Sequence, residues 1–358
     1  MKRSLGLCLL PFGFMLISAS HAAGSNALEE EVTVLKEDAA EMNSRLDDML
    51  TVSGYTDTEY TISKQPGDAS HGFRLHHLSL FFEKRITEQW RFFSEIEYED
   101  APKHETGTTQ GEIFAEAVNL SYAWRPDASF RLGRFFTPAG LWNVDHYPPF
   151  VPTQELPLHI RLIFPQIFDG AMAYGIRPLA GSFLKYDLYW GNGEGNTGSK
   201  DENSHKAAGL NVGLLLPFLK LTEIGLTYYR DTDNLNTEKV ASGAHVKVKT
   251  GSFAFQSEYA RGKHTLVTGA NYVNTGYYAQ FMYDLVSDWT VGLRHSFYDN
   301  NSATDKVDNH ETAKSVFVNY HVSHAIVLKL EHHLFSFNDS TQDNYASTTF
   351  SVVGYLGN

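Results

Sequence analysis

Residues 90–98 read WRFFSEIEY: Trp90, Phe92, Ile96 and Tyr98 alternate with Arg91, Glu95, Glu97 and, one step on, Glu99. A strand sends successive side chains to opposite faces, so this run has one apolar face and one charged face. The zigzag returns in Leu184, Tyr186, Leu188 and Trp190 against Lys185 and Asp187. It returns again in Phe253, Phe255 and Tyr259 against Ala254, Gln256 and Glu258, and in Trp289, Val291, Leu293 and Phe297 against Thr290, Gly292, Arg294 and Ser296. A soluble sandwich alternates too, but its aromatics do not gather at strand ends, where the girdles of a membrane barrel sit.

Between Thr51 and Asn358 the pattern supplies about sixteen such segments. Their connections alternate in length. Tight ones fall at 86–89, 125–128, 179–182, 249–252 and 287–288; long polar ones fall at 64–70, 100–111, 191–205, 231–238, 261–268, 299–310 and 338–344. Short turns at one end and longer loops at the other fit an all-β fold, a transmembrane antiparallel barrel of about sixteen strands. An even strand number leaves both ends of the barrel on one side, and closure removes the exposed sheet edges.

One connection stands apart. Residues 136–170 hold Pro138, Pro148, Pro149, Pro152, Pro157 and Pro165, six of the chain's 12 prolines, among Leu, Ile, Phe and Trp. Proline fixes φ and removes a donor, so no strand or long helix is expected through here. Two placements are open: a surface lid on a soluble β protein, or a loop folded into a barrel lumen. The barrel pattern favours the second, because a wet lumen of about sixteen strands needs a constriction to select solutes. The loop's ionisable residues are Asp145, His146, Glu155, His159, Arg161 and Asp169. Pore-constriction candidates are His146, Glu155, His159 and Arg161. Strand parity nominates Arg91, Glu97, Arg131, Lys185 and Arg294 for the pore wall, with Glu95, Asp187 and Glu258 beside them.

The chain's start reads as an export signal over residues 1–22: Lys2 and Arg3, an apolar core from Leu5 to Ser18, and Ser20-His21-Ala22 as a cleavage site. The single cysteine, Cys8, lies inside it, so the exported chain is expected to have no disulfide and no cysteine metal site. Losing Lys2 and Arg3 leaves a charge of about −15 against −13 for the whole chain, which argues against a nucleic-acid partner. Residues 23–50 form the second expected segment. There Leu28, Val32, Leu35, Ala39, Met42, Leu46 and Met49 recur at heptad spacing, a seam for a short periplasmic coiled coil. A lone amphipathic helix on the barrel mouth is the alternative. Residues 51–358 form the barrel.

Several stretches resemble the phosphate-selective porin O/P-type family: RLHHLSLFFE at 74–83, residues 90–98, LGRFFTPAGL at 132–141 and the run 165–175. The resemblance covers roughly residues 51–190. It implies a trimeric, sixteen-stranded outer-membrane channel in which 136–170 is the constriction loop. The N-terminal coil is similar to that of related trimeric porins for dicarboxylates and aromatic acids. Phosphate selectivity does not carry over, because this loop offers only Arg161 and two histidines where the phosphate channels use runs of Arg and Lys.

Other chemistry is not expected. The 16 histidines contain no HExxH spacing, and His76-His77 and His332-His333 are neighbours that strand parity is expected to send to opposite faces. No GxSxG elbow marks a hydrolase, and Gly191–Gly195 opens no helix. The sequence therefore predicts no enzyme, no cofactor and no metal. It predicts an outer-membrane porin passing small hydrophilic solutes, anions or carboxylates among them. The partners are outer-membrane lipid, the solute and two further copies of the chain. A barrel with a plugged pore, whose loops bind a partner or surface polymer, is the alternative.

Overall fold

The computed structural model describes residues 49–65, 71–105, 108–194, 203–217, 222–301, 309–338 and 342–357. The expected export signal and all but the last two residues of the expected coiled-coil segment lie outside these. Sixteen strands follow in chain order. They are β1 Thr51–Ser63, β2 His71–Arg85, β3 Trp90–Glu105, β4 Thr108–Arg125, β5 Ala128–Phe136, β6 Ile167–Leu179, β7 Ser182–Gly191 and β8 Ala207–Leu216. The second half is β9 Thr222–Thr232, β10 Glu238–Thr250, β11 Phe253–Thr265, β12 Asn271–Val286, β13 Trp289–Asn300, β14 His310–His321, β15 Ile326–Phe337 and β16 Tyr345–Tyr355. Each pairs antiparallel with the next. β16 returns to β1, with Tyr55 opposite Tyr355 and Ser63 opposite Ser347, and closes the barrel.

The burial along β15 shows which face is which. Lys329 and Glu331 are each 1% exposed, whereas Leu330 is 50% and Leu334 48% exposed. In water this arrangement is inverted: charge would be desolvated and leucine displayed. With hydrocarbon outside and polar groups inside it is the stable choice. Val316, Leu293, Phe281, Leu226, Leu188 and Leu132 continue the exposed apolar belt around the barrel. At the end with tight turns, cross-strand aromatic pairs rim the belt: Trp90 with Tyr122, Phe253 with Tyr283, and Trp289 with Tyr320, centroids 5.0, 4.6 and 4.6 Å apart. Such pairs both join neighbouring strands and suit an interface where one side is apolar.

The turns follow from local chemistry. Between β6 and β7, Ala180 and Gly181 both take positive φ, 47° and 80°, as a two-residue hairpin turn matched to strand twist requires. Residues 100–111 differ from expectation: β3 runs to Glu105 and β4 starts at Thr108, so most of the anticipated loop is strand. The ladder absorbs an irregularity between Glu99 and Lys103, where Asp100 adopts φ 59°. Hydrogen-bonded pairing needs no apolar alternation once strands rise beyond the apolar belt, so composition alone understates strand length there.

Replacing Leu330 by arginine should lower barrel stability by roughly 2–4 kcal/mol, read as a shifted urea midpoint for protein folded into lipid vesicles. An unshifted midpoint would mean that this face does not meet hydrocarbon.

Candidate pore constriction

Pro138 follows Thr137 directly after β5, and the ladder stops there. Thr137 N donates to Gln166 O at 2.9 Å and closes the neck of the loop; Asn143 Nδ2 donates to Thr137 O at 2.7 Å and braces it. Between 137 and 166 the chain forms isolated turns and no strand or helix, as the prolines require. Asp145 N bonds Leu141 O, Val151 N bonds Tyr147 O and Leu162 N bonds His159 O, each at 3.1–3.2 Å. Arg161 sits at φ 67° in the last of these turns.

A turn-rich segment leaves many backbone groups without partners, and here lumen-facing side chains of the wall supply them. On β11, Glu258 accepts from Leu141 N, Trp142 N and the Tyr278 hydroxyl at 2.9, 3.0 and 3.0 Å. On β13, Arg294 donates to Thr153 Oγ1 at 2.7 Å and Glu155 O at 2.6 Å. On β14, Asn319 donates to Pro152 O at 2.9 Å. On β15, Lys329 donates to Pro148 O and Val151 O at 2.5 and 2.7 Å, and Glu331 accepts from Gln154 N at 2.9 Å. On β1, Asp57 accepts from Gln154 Nε2 at 3.1 Å; on β3, Glu95 accepts from the Tyr147 hydroxyl at 3.2 Å. The loop is thus tied to the wall at β11 and β13–β15 and again at β1 and β3, and spans the lumen.

Apolar packing fills what the ties enclose. Trp142, Val151 and Ile160 cluster on Tyr278. Phe135, Ala139, Ile163, Phe164 and Phe168 pack against Tyr189, Tyr229, Tyr298 and the small wall residues Ala207, Ala241 and Ala260. Toward the turn end lie two chambers. One of about 650 Å³ is lined by Glu83, Arg91, Arg131, Tyr147 and Tyr174 among others; the second, about 280 Å³, by Trp142, Asp145, Lys185, Glu223 and Lys247 among others.

The residues nominated from sequence fall into three groups. Arg91 and Arg131 share the larger chamber and Lys185 lines the smaller; Arg91 pairs with Glu83 at 3.2 Å, and Arg131 donates to Ser121 and lies 4.8 Å over Tyr174. Glu155 and Arg161 are exposed on the loop. His146, His159, Glu97 and Arg294 are buried: His159 stacks on Tyr278, Glu97 accepts from the Tyr55 hydroxyl at 2.5 Å, and Arg294 holds the loop. Burial in the loop pushes His159 down to about 4 and also lowers His146, so both imidazoles are neutral at pH 7. Sequence reasoning passed over Lys329, Glu331, Asp57 and Asn319. The parity of β15, with Lys329 and Glu331 between Leu328, Leu330 and Leu334, was the available signal.

No known protein-family profile matches the chain. Over 146 residues it is 34% identical to an uncharacterised protein of Aquifex aeolicus strain VF5, a match covering 40% of this chain but only 32% of that protein. The backbone is similar to the anion-selective porin of Comamonas acidovorans, with TM-score 0.63 and 13% identity over 86% of this chain and 99% of that one. It is similar to Salmonella typhi OmpF, solved with daunomycin, at TM-score 0.65 and 10% identity over 87% and 98%. The outer membrane channel DcaP of Acinetobacter baumannii gives 0.58 and 9% over 86% and 97%. The fold is therefore the closed sixteen-stranded barrel of outer-membrane porins.

Two outcomes follow from the ties. Glu258→Ala strands two backbone donors and a hydroxyl, and should cost roughly 2–5 kcal/mol of unfolding free energy in a denaturant titration. For His159 the folded pKa lies below the unfolded value, so the unfolded chain takes up the proton first and stability falls as pH drops from about 6.5 toward 4. The loss is about 3 kcal/mol over that window and should vanish in His159→Phe; equal pH slopes for both proteins would contradict it.

Proposed function

We propose that the chain is a bacterial outer-membrane channel for passive diffusion of small hydrophilic solutes, with anionic solutes preferred. One observation carries the preference. In a chain of net charge −13, the larger chamber beneath the loop brings Arg85, Arg91 and Arg131 against Glu83 and Glu88, a cationic excess of one, while Lys185 and Lys247 balance Asp145 and Glu223 in the smaller. A cationic lining in a low-dielectric tunnel raises the local concentration of anions. Glu155 and Arg161 on the loop are proposed to meet solute as well; His146 and His159 act by shaping the loop rather than by charge.

Passive transport also fits an arrangement on β14 and β15 that invites a catalytic reading. His333 joins Ser315 Oγ at 2.7 Å and Glu331 Oε2 at 3.0 Å. Yet Ser315 is 2% exposed, and the other oxygen of Glu331 is engaged by the loop at Gln154. The row positions Glu331 as an anchor, and a substrate carbonyl has no approach to the serine.

A second function has its own support. Because the loop is tied to both sides of the lumen, the barrel also suits a plugged scaffold whose exposed loops bind a surface partner. Assembly as a trimer rests on the heptad seam over 28–49, and mild-detergent sizing of full-length and seam-deleted protein reads it: a monomer in both removes it.

Planar-bilayer recording separates channel from plug. The channel gives discrete openings and a reversal potential favouring chloride in a potassium chloride gradient, moved toward potassium by Lys185→Glu with Lys247→Glu. Absence of openings would leave the plugged scaffold, and an unmoved reversal potential would take the chambers out of the solute path.

A further inference from the structure

Where the loop meets β3 and β4, three carboxylates converge. Oxygens of Glu95, Glu97 and Glu116 lie within 4.8 Å of one another, all three side chains buried. Glu116 reaches this position because the β3–β4 ladder shifts register between Glu95 and Ile96. The hydrogen-bond partners they have are neutral: Ser79 and Tyr147 on Glu95, Tyr55 on Glu97, and Gln166 on one oxygen of Glu116. Among the described residues, no lysine or arginine forms an ion pair with any of them. Three like charges so close, shielded from water, repel strongly unless a cation or protons join them.

An independent feature points into the same spot from the loop. His146 is 7% exposed, its Nδ1 has no hydrogen-bond partner, and its Nε2 lies 3.9 Å from Glu116 Oε2. That Oε2 is itself buried and unpartnered. At 3.9 Å the contact is longer than a hydrogen bond, so the loop faces Glu116 Oε2 without satisfying it and leaves it open to a ligand.

The geometry points to a binding site for one hard divalent cation, of the calcium class, formed by Glu95, Glu97 and Glu116, with His146 at its edge on the loop. Oxygen donors favour such ions. The spread of the three carboxylate oxygens, no more than 4.8 Å, is what two ligands reach across an ion with bonds of about 2.4 Å. The ion reduces the repulsion among the three glutamates and supplies the partner Glu116 Oε2 lacks. It also fixes Glu95, which accepts from the loop's Tyr147 hydroxyl, and so steadies the constriction at the side opposite Glu258. This site stands whether the lumen conducts or is plugged.

The test uses full-length barrel refolded into synthetic detergent free of lipopolysaccharide. Terbium(III) is the probe, because Tyr55 and Tyr147 hydrogen-bond the cluster and sensitise a lanthanide bound there. Terbium emission should saturate at one ion per chain, calcium should displace it, and Glu116→Gln should weaken binding about tenfold or more. Calcium should also raise the unfolding temperature of wild-type protein relative to chelator by a few degrees. That second readout stands if Glu116→Gln fails to fold. Emission that never saturates, affinity unchanged in Glu116→Gln, or an unfolding temperature indifferent to calcium would each overturn the site and leave the carboxylates sharing protons instead.

Discussion

The hydrogen bonds between charged side chains of the lumen wall and the backbone of the 137–166 loop are the constraint on which the constriction rests. A turn-rich, proline-stiffened segment cannot satisfy its own carbonyls and amides, and each one left buried and unpaired costs about 1–3 kcal/mol. Buried charges have the converse problem: without partners they are expensive to hold out of water. Lys329 on the Pro148 and Val151 carbonyls, Arg294 on the Glu155 carbonyl and Glu258 on the Leu141 and Trp142 amides solve both problems together. Neither the loop nor these charges would be stable where they are without the other.

The barrel makes this exchange possible. Its outward face carries the apolar belt, so the inward face is free to be polar, and the closed ladder sets lumen-facing residues of distant strands around one loop. Where the loop approaches closest the wall is small. Gly276 on β12 faces His159, and a side chain there would collide with it; Gly243 lies against Phe164, with Ala241 and Ala260 in the same apolar cluster. Charge on one part of the wall and reduced bulk on another thus position a segment that has no regular structure of its own.

The strand zigzag was legible in the sequence because hydrocarbon on one side and polar groups on the other impose it residue by residue; Leu330 beside Glu331 is enough to see it. The loop was legible from its prolines, and its irregular backbone follows. Partnerships were not. Nothing local to Glu258 says that it will hold amides 116 and 117 residues away, and Lys329 is indistinguishable by parity from a solvated lumen charge. Histidines nominated as pore groups, His146 and His159, proved to be packed in the loop, since burial depends on how 30 irregular residues fold and not on their own type. Strand ends at 100–111 were understated for a related reason: the pattern that marks strands fades where hydrocarbon ends.

Hydrogen exchange at the amides of Leu141, Trp142 and Gln154 probes the ties directly, since each donates to a wall carboxylate. In folded protein these amides should exchange far more slowly than an unstructured chain does. Leu141 and Trp142 should lose that protection in Glu258→Gln while Gln154 keeps it. Exchange at unstructured rates in the unmutated protein would show that the wall does not hold the loop.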